Sequence, residues 1–148
     1  MKKMFAMLLT VCLLLAGCAP AQPGVDDGEK LPVDEAAQQE IRRALGMLID
    51  RNYIAGSIGQ AGQVPADGFV PMGMDSYYRG GYYAVDPDRY TQTFREAITI
   101  LRKYYRYDEK TGKFLDFPTL TYLYNTAESH KAVGEYLQAV FAGVGTPL

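Results

Sequence analysis

Few side chains in this 148-residue chain are of the kind that do covalent chemistry, and those few are scattered. There is one His, two Cys and no Trp. Acid–base or nucleophilic catalysis needs a base within hydrogen-bond reach of a nucleophile. His130 stands between Ser129 and Lys131 near the start of an apolar-periodic segment, and the plain reading is a solvated or capping imidazole. One His with scattered carboxylates gives no metal-ligand spacing. Asp86 and Asp88 read as helix-start charges. Gly56, Gly59 and Gly62 follow a helix rather than a strand and lack the dinucleotide-binding spacing. No catalytic, cofactor or metal residue is assigned, and nothing in these residue types and spacings points to an enzyme.

Cys18 is different, because its surroundings prescribe a reaction. Met1-Lys2-Lys3 is a short positive start, and Met4 to Leu15 is a nearly unbroken apolar run. As a helix that run is roughly 18 Å long, too short for a ~30 Å hydrocarbon core. It reads as a secretory signal. The run closes on Leu15-Ala16-Gly17-Cys18, which resembles a bacterial lipobox. Small residues before the cysteine let the chain enter a peptidase cleft in extended form; the thiol takes a diacylglycerol, and cleavage leaves Cys18 first in the mature chain. Cys12 leaves with residues 1–17, so no free thiol remains and no disulfide framework can form. Lys2 and Lys3 leave too; of 15 Lys and Arg, 13 then face 17 Asp and Glu, a net charge of −4. Acyl chains, each gaining ~0.8 kcal/mol per buried CH₂, would hold such an acidic body at a membrane without a spanning segment. The balance also lacks the clustered basic face that nucleic acid requires.

Twelve Tyr with no Trp is the compositional oddity. Tyr77, Tyr78, Tyr82 and Tyr83 surround Arg79, Gly80 and Gly81; Tyr104, Tyr105 and Tyr107 form a second cluster. Exposed rings could contact a ligand or an interface by stacking. The blander reading packs Tyr104 on a helix's apolar side and lays the loop rings over the core edge. A third reading makes the rings an internal surface that has lost its counterpart.

The elements that position these residues follow from periodicity. Residues 18–33, with Pro20, Pro23, Pro32, Gly24 and Gly28, read as a flexible tether. Residues 34–148 form the folded part. Its first helix runs from Asp34, the N-cap, to about Ile54, with Ile41, Ala44, Leu45, Leu48 and Ile49 on one stripe. Asp86-Pro87 opens a second helix with Tyr90, Phe94, Ala97, Ile98 and Leu101 inside, ending near Tyr105 to Tyr107. A turn follows at Asp108 to Gly112. Thr119 to Tyr124 is the one convincing strand. Asn125 or Thr126 caps a third helix, with Val133, Tyr136, Leu137, Val140 and Phe141 on one side and Gly143 as its stop. The class is therefore α+β and predominantly helical: three main helices and one strand. A lone strand calls for a partner, so the domain reads as partial, its open edge prone to self-association.

Four segments carry a resemblance. Ile41-Arg42-Arg43-Ala44-Leu45-Gly46-Met47-Leu48-Ile49-Asp50-Arg51 with Tyr53-Ile54 is similar to a helix of the family 5 extracellular solute-binding proteins, the oligopeptide and dipeptide receptors of ABC importers. Gly62-Gln63-Val64-Pro65-Ala66 to Pro71-Met72-Gly73 resembles the loop that follows it there, and Ala97 to Leu101 a further helix. Phe117 to Thr126 with Ser129-His130-Lys131 resembles the family's Leu-Tyr-Asn-Thr…His-Lys segment. The resemblance implies a second-lobe fragment of an α/β solute-binding lobe. It implies a binding protein rather than an enzyme, with a peptide ligand and an ABC permease as partner; no cofactor is expected, and the lipobox-like Cys18 adds a lipid-anchored place on the cell membrane facing the periplasm or exterior. It carries over no ligand-contacting residue. The alternative is a small surface lipoprotein with an interaction or scaffold role, using the tyrosine-rich loop or the open strand edge.

Overall fold

The computed structural model describes residues 24–26, 28–66, 68, 70, 74 and 86–148. The elements run β1 (Val25–Asp26), α1 (Glu35–Met47), α2 (Arg51–Tyr53) continuing as a π-helical stretch (Ile54–Gly59), α3 (Tyr90–Leu101), β2 (Tyr107–Asp108), β3 (Lys113–Phe114) and α4 (Glu128–Gly143). The fold is α+β and mostly helical, as the periodicity implies.

α1 begins where Asp34 Oδ1 accepts the Ala37 N–H at 2.8 Å, satisfying one of the amides that a helix start leaves without a partner. Its apolar stripe packs on α3, and Ala44 and Ala97 are both fully buried in the shared core. Ile41, Met47, Leu48, Leu101, Phe114, Phe117, Leu137, Phe141 and Val144 complete that core among the described residues.

The single helix expected from Asp34 to Ile54 is two. α1 stops at Met47, and the Leu48 N–H is shared between Ala44 O and Leu45 O. Asp50 then adopts an extended backbone, and its carboxylate accepts the N–H groups of Asn52 (2.9 Å) and Tyr53 (3.2 Å). A short carboxylate that can cap a new helix competes with continuation of the old one. A similar competition displaces the start of α3. Asp86 does not cap it; Asp86 Oδ1 accepts from Asp88, Arg89 N–H bonds Asp86 O, and the helix begins a turn later at Tyr90. α3 ends at Leu101 and gives way to turns through Tyr104, short of the expected Tyr105 to Tyr107. Neither Asn125 nor Thr126 caps α4: Ala127 stands at the N-cap with no side-chain cap bond, and Asn125, two residues earlier, accepts from Ala127 N–H instead.

The strand expected at Thr119 to Tyr124 does not form. The segment belongs to no regular element, and its one backbone bond to another backbone group among the described residues is Leu120 N–H to Pro147 O at 2.8 Å. Apolar β-formers make a strand only where a second segment ladders with them, and among the described residues only Pro147 meets this one through the backbone. The sheet lies elsewhere, antiparallel in the order β1-β2-β3, with Tyr107 opposite Phe114 and Val25 opposite Asp108. The turn between β2 and β3 is the expected one at 108–112: Asp108 accepts from Lys110 N–H and Thr111 Oγ1, and Gly112 takes φ +69°. β1 lies within the segment read as a tether.

α4 closes the body and hands the chain to a tight turn. Gly143 is its last residue, and Gly145, at φ +77°, bends the chain so that Val144 O accepts the Phe114 N–H. An added Cβ on Gly145 would sit 2.5 Å from Phe114 O, so only glycine fits there.

Candidate functional site

Three tyrosines converge on the break between α1 and α2. Tyr90, the first residue of α3, donates its hydroxyl to Leu48 O at 2.7 Å. Tyr136, from the middle of α4, accepts the Asp50 N–H at 3.0 Å, with its hydroxyl 3.4 Å from Asp50 O. Tyr53 stacks on Tyr136 with centroids 4.7 Å apart. The backbone groups freed by the break are thus taken up by hydroxyls from the two other long helices. Burial pushes the Tyr90 phenol up to about 12, aided by Tyr136 and the Asp50 charge. Burial likewise raises Tyr136. Helical periodicity alone does not predict this clasp. Tyr90 and Tyr136 stand on apolar stripes, and the one available signal was that a buried phenol needs a polar partner.

A second polar knot ties α1 to the chain after α3. Glu40 accepts from Lys103 Nζ at 2.7 Å and from the Tyr104 hydroxyl. The Lys103 hydrogen bond, then that of Tyr104, holds the Glu40 carboxyl below its usual range, while the Glu40 carboxylate raises Tyr104 to about 12. Beside the knot a groove of about 660 Å³ runs past Leu31, Pro32, Asp34, Gln39 and Arg43. Tyr104, Tyr105 and Tyr107 all pack against the core, with Tyr105 on Phe117 at 4.3 Å and Tyr107 on Phe114 at 5.0 Å. The blander reading of that cluster holds.

Among the described residues, Tyr122, Leu123 and Tyr124 form a run of exposed large apolar side chains. Tyr122 and Tyr124 stack at 5.8 Å and lie over Gly134 of α4, where a Cβ would already touch both rings at 3.4–3.5 Å. Leu123 between them is 88% exposed. Together with Leu120, Thr121, Glu135, Gln138 and Leu148 they border a groove of about 380 Å³. Among the described residues, Thr121 to Tyr124 form no backbone hydrogen bonds to other backbone groups. Backbone groups without such partners beside exposed aromatic rings are available to a second chain.

His130 is exposed, with Nδ1 2.8 Å from Asn125 Oδ1, and acts as a staple at the start of α4. Among the described residues no group of three or more His, Cys, Asp and Glu is placed to hold a metal ion, and no helix is long and apolar enough to cross a membrane. Cys18 and Tyr77, Tyr78, Tyr82 and Tyr83 lie outside the described residues.

Residues 29–146 match the family described as bacterial extracellular solute-binding proteins, family 5 Middle. No curated protein and no solved structure matches the chain.

Proposed function

The chain belongs to the bacterial extracellular solute-binding proteins, family 5, and from that premise we propose that it is a lipid-anchored, peptide-binding receptor component of ABC-type peptide import. The family match over residues 29–146 carries the reading. The lipobox-like Leu15-Ala16-Gly17-Cys18 behind a short apolar run supports anchoring through Cys18. The protein binds and hands on its solute without chemical change. Peptide is captured in extended form, where main-chain groups recognise any sequence and aromatic rings accept varied side chains. A permease in the same membrane then receives it. Tyr77, Tyr78, Tyr82 and Tyr83 are proposed ligand or interface contacts.

The test is uptake. Cells lacking the protein should take up a labelled tripeptide several-fold more slowly, and the Cys18→Ala form, secreted but not acylated, should restore little of it. Uptake unchanged by the deletion overturns the transport role. The exposed Tyr122-Leu123-Tyr124 surface favours a second reading, an interaction role at the cell surface by strand addition. Capture of a protein segment rather than short peptides on that surface would decide for it.

A further inference from the structure

The chain that emerges from the amino-terminal side is fastened to the body. β1 pairs with β2, Glu109 N–H donates to Gly24 O at 2.8 Å, and Leu31 N–H donates to Lys103 O at 2.9 Å. A charge cluster locks the same stretch. The Asp26 carboxylate receives Lys30 Nζ at 3.0 Å and Arg102 at 3.5 Å. Lys30 Nζ also donates to Arg102 O at 3.2 Å. Arg102 reaches on to Glu109 at 2.6 Å while its guanidinium lies 5.1 Å over the Tyr107 ring. The Lys30 side chain is only 17% exposed. Gly24 takes φ +105°, and a Cβ there would sit 3.0 Å from Lys110, so the chain leaves the body against the β2–β3 turn.

We propose that this fastened stretch is a membrane-orientation latch, which shortens the leash from the acylated Cys18 and turns the β2–β3 end of the body toward the lipid headgroups. The inference rests on the anchoring reading above. From Cys18 to Gly24 is six residue steps, a reach of about 20 Å; unfastened, the sixteen steps to Asp34 would reach about 55 Å. A body held at six steps cannot turn its Gly24 exit, or the Lys110 beside it, far from the surface. A solute-accepting face elsewhere on the body therefore keeps a constant orientation to the membrane.

Trypsin reads the latch, because Lys30 is the only Lys or Arg between Cys18 and Arg42. The mature lipoprotein, in phosphatidylethanolamine–phosphatidylglycerol vesicles, is digested under native conditions, and release of a fragment beginning at Leu31 is timed by mass spectrometry. Cleavage at Lys30 should be at least tenfold slower than in a free peptide spanning residues 18–33. Asp26→Asn should speed it several-fold, with the far-UV circular dichroism unchanged. A benzophenone side chain at the Lys110 position should photo-crosslink lipid, at least threefold less in the Asp26→Asn background. Cleavage of the native protein at the rate of the free peptide overturns the latch, whatever the variant does. Equal crosslinking in the two backgrounds, or none on an acylated protein, overturns the orientation. An amino-terminal peptide carrying no acyl mass overturns the anchoring reading and the orientation with it, while protection of Lys30 in that same protein still reports the docking.

Discussion

Tyr136→Phe removes one oxygen from the clasp at the α1–α2 break and leaves the ring stacked on Tyr53. That oxygen accepts the Asp50 N–H at 3.0 Å, at the point where the backbone has left one helix and not begun the next. A net hydrogen bond contributes about 1 kcal/mol, and an amide left unpaired in a partly buried position adds to the loss. The expected cost is about 1.5 kcal/mol, which in a body of about 115 residues lowers Tm by roughly 5–8 °C. Tyr90→Phe strips Leu48 O of its donor at 2.7 Å and should cost about 1 kcal/mol. Both hydroxyls hold one three-residue turn, so the double variant should depart from additivity by 0.5 kcal/mol or more, on the order expected for residues sharing a backbone feature. Urea unfolding followed by circular dichroism at 222 nm measures all three variants with one m-value check. Tyr136→Phe within about 0.3 kcal/mol of the parent, with strict additivity, would refute the claim that the phenols hold the break.

Three other outcomes are expected. Gly145→Ala should destabilise by about 3 kcal/mol, combining a left-handed backbone with a Cβ 2.5 Å from Phe114 O, whereas Gly46→Ala, in the last turn of α1 with nothing within 4 Å, should stabilise by up to about 0.5 kcal/mol; thermal melts of the pair give the contrast. Stability should fall at both ends of the pH scale. Glu40 and Asp26 are held below their ordinary values of 4.5 and 3.8 by Lys103 and Lys30, so their contribution is present above those values and is lost as pH falls through the lowered ones. Tyr90 and Tyr104 are raised from 10 to about 12, so their contribution is full below pH 10 and is lost between about 10 and 12; urea midpoints across pH 3–12 trace both limbs. Leu123→Glu, at an 88% exposed site, should leave Tm within about 1 °C and suppress any concentration-dependent association seen by sedimentation.

The parts of the fold that were legible in the sequence are those where a local rule had no rival. Asp34 caps α1 as its type and place imply, because nothing else nearby competes for the Ala37 amide. Ala44, Ala97, Leu101, Leu137 and Phe141 are buried where helical spacing puts them. Local rules failed where two of them met. Asp50 lies off the apolar stripe and looks like a solvent-facing residue of a long helix; only the positions of Tyr90 and Tyr136, from distant sequence, make a break there affordable. Asp86-Pro87 carries a helix-start signal, yet the Asp side chain spends itself on Asp88. Thr119 to Tyr124 has strand composition, but a strand is a property of a pair. The two-residue strands β2 and β3 are too short for any alternation to register, and β1 pairs with β2 across more than eighty residues. Of the candidate site, the Tyr-rich segment after Phe117 reads from sequence as a strand that the structure does not form, and its seat on Gly134 depends on where α4 lies.

Peptide binding is the central proposal for this chain. Isothermal titration of the mature lipoprotein in detergent with a mixed tri- to pentapeptide library addresses that most directly. Saturable heat at micromolar to millimolar peptide, competed by unlabelled dipeptides or oligopeptides and not by free amino acids, is the predicted result. No heat at millimolar peptide, from protein that melts cooperatively in the same buffer, would contradict it.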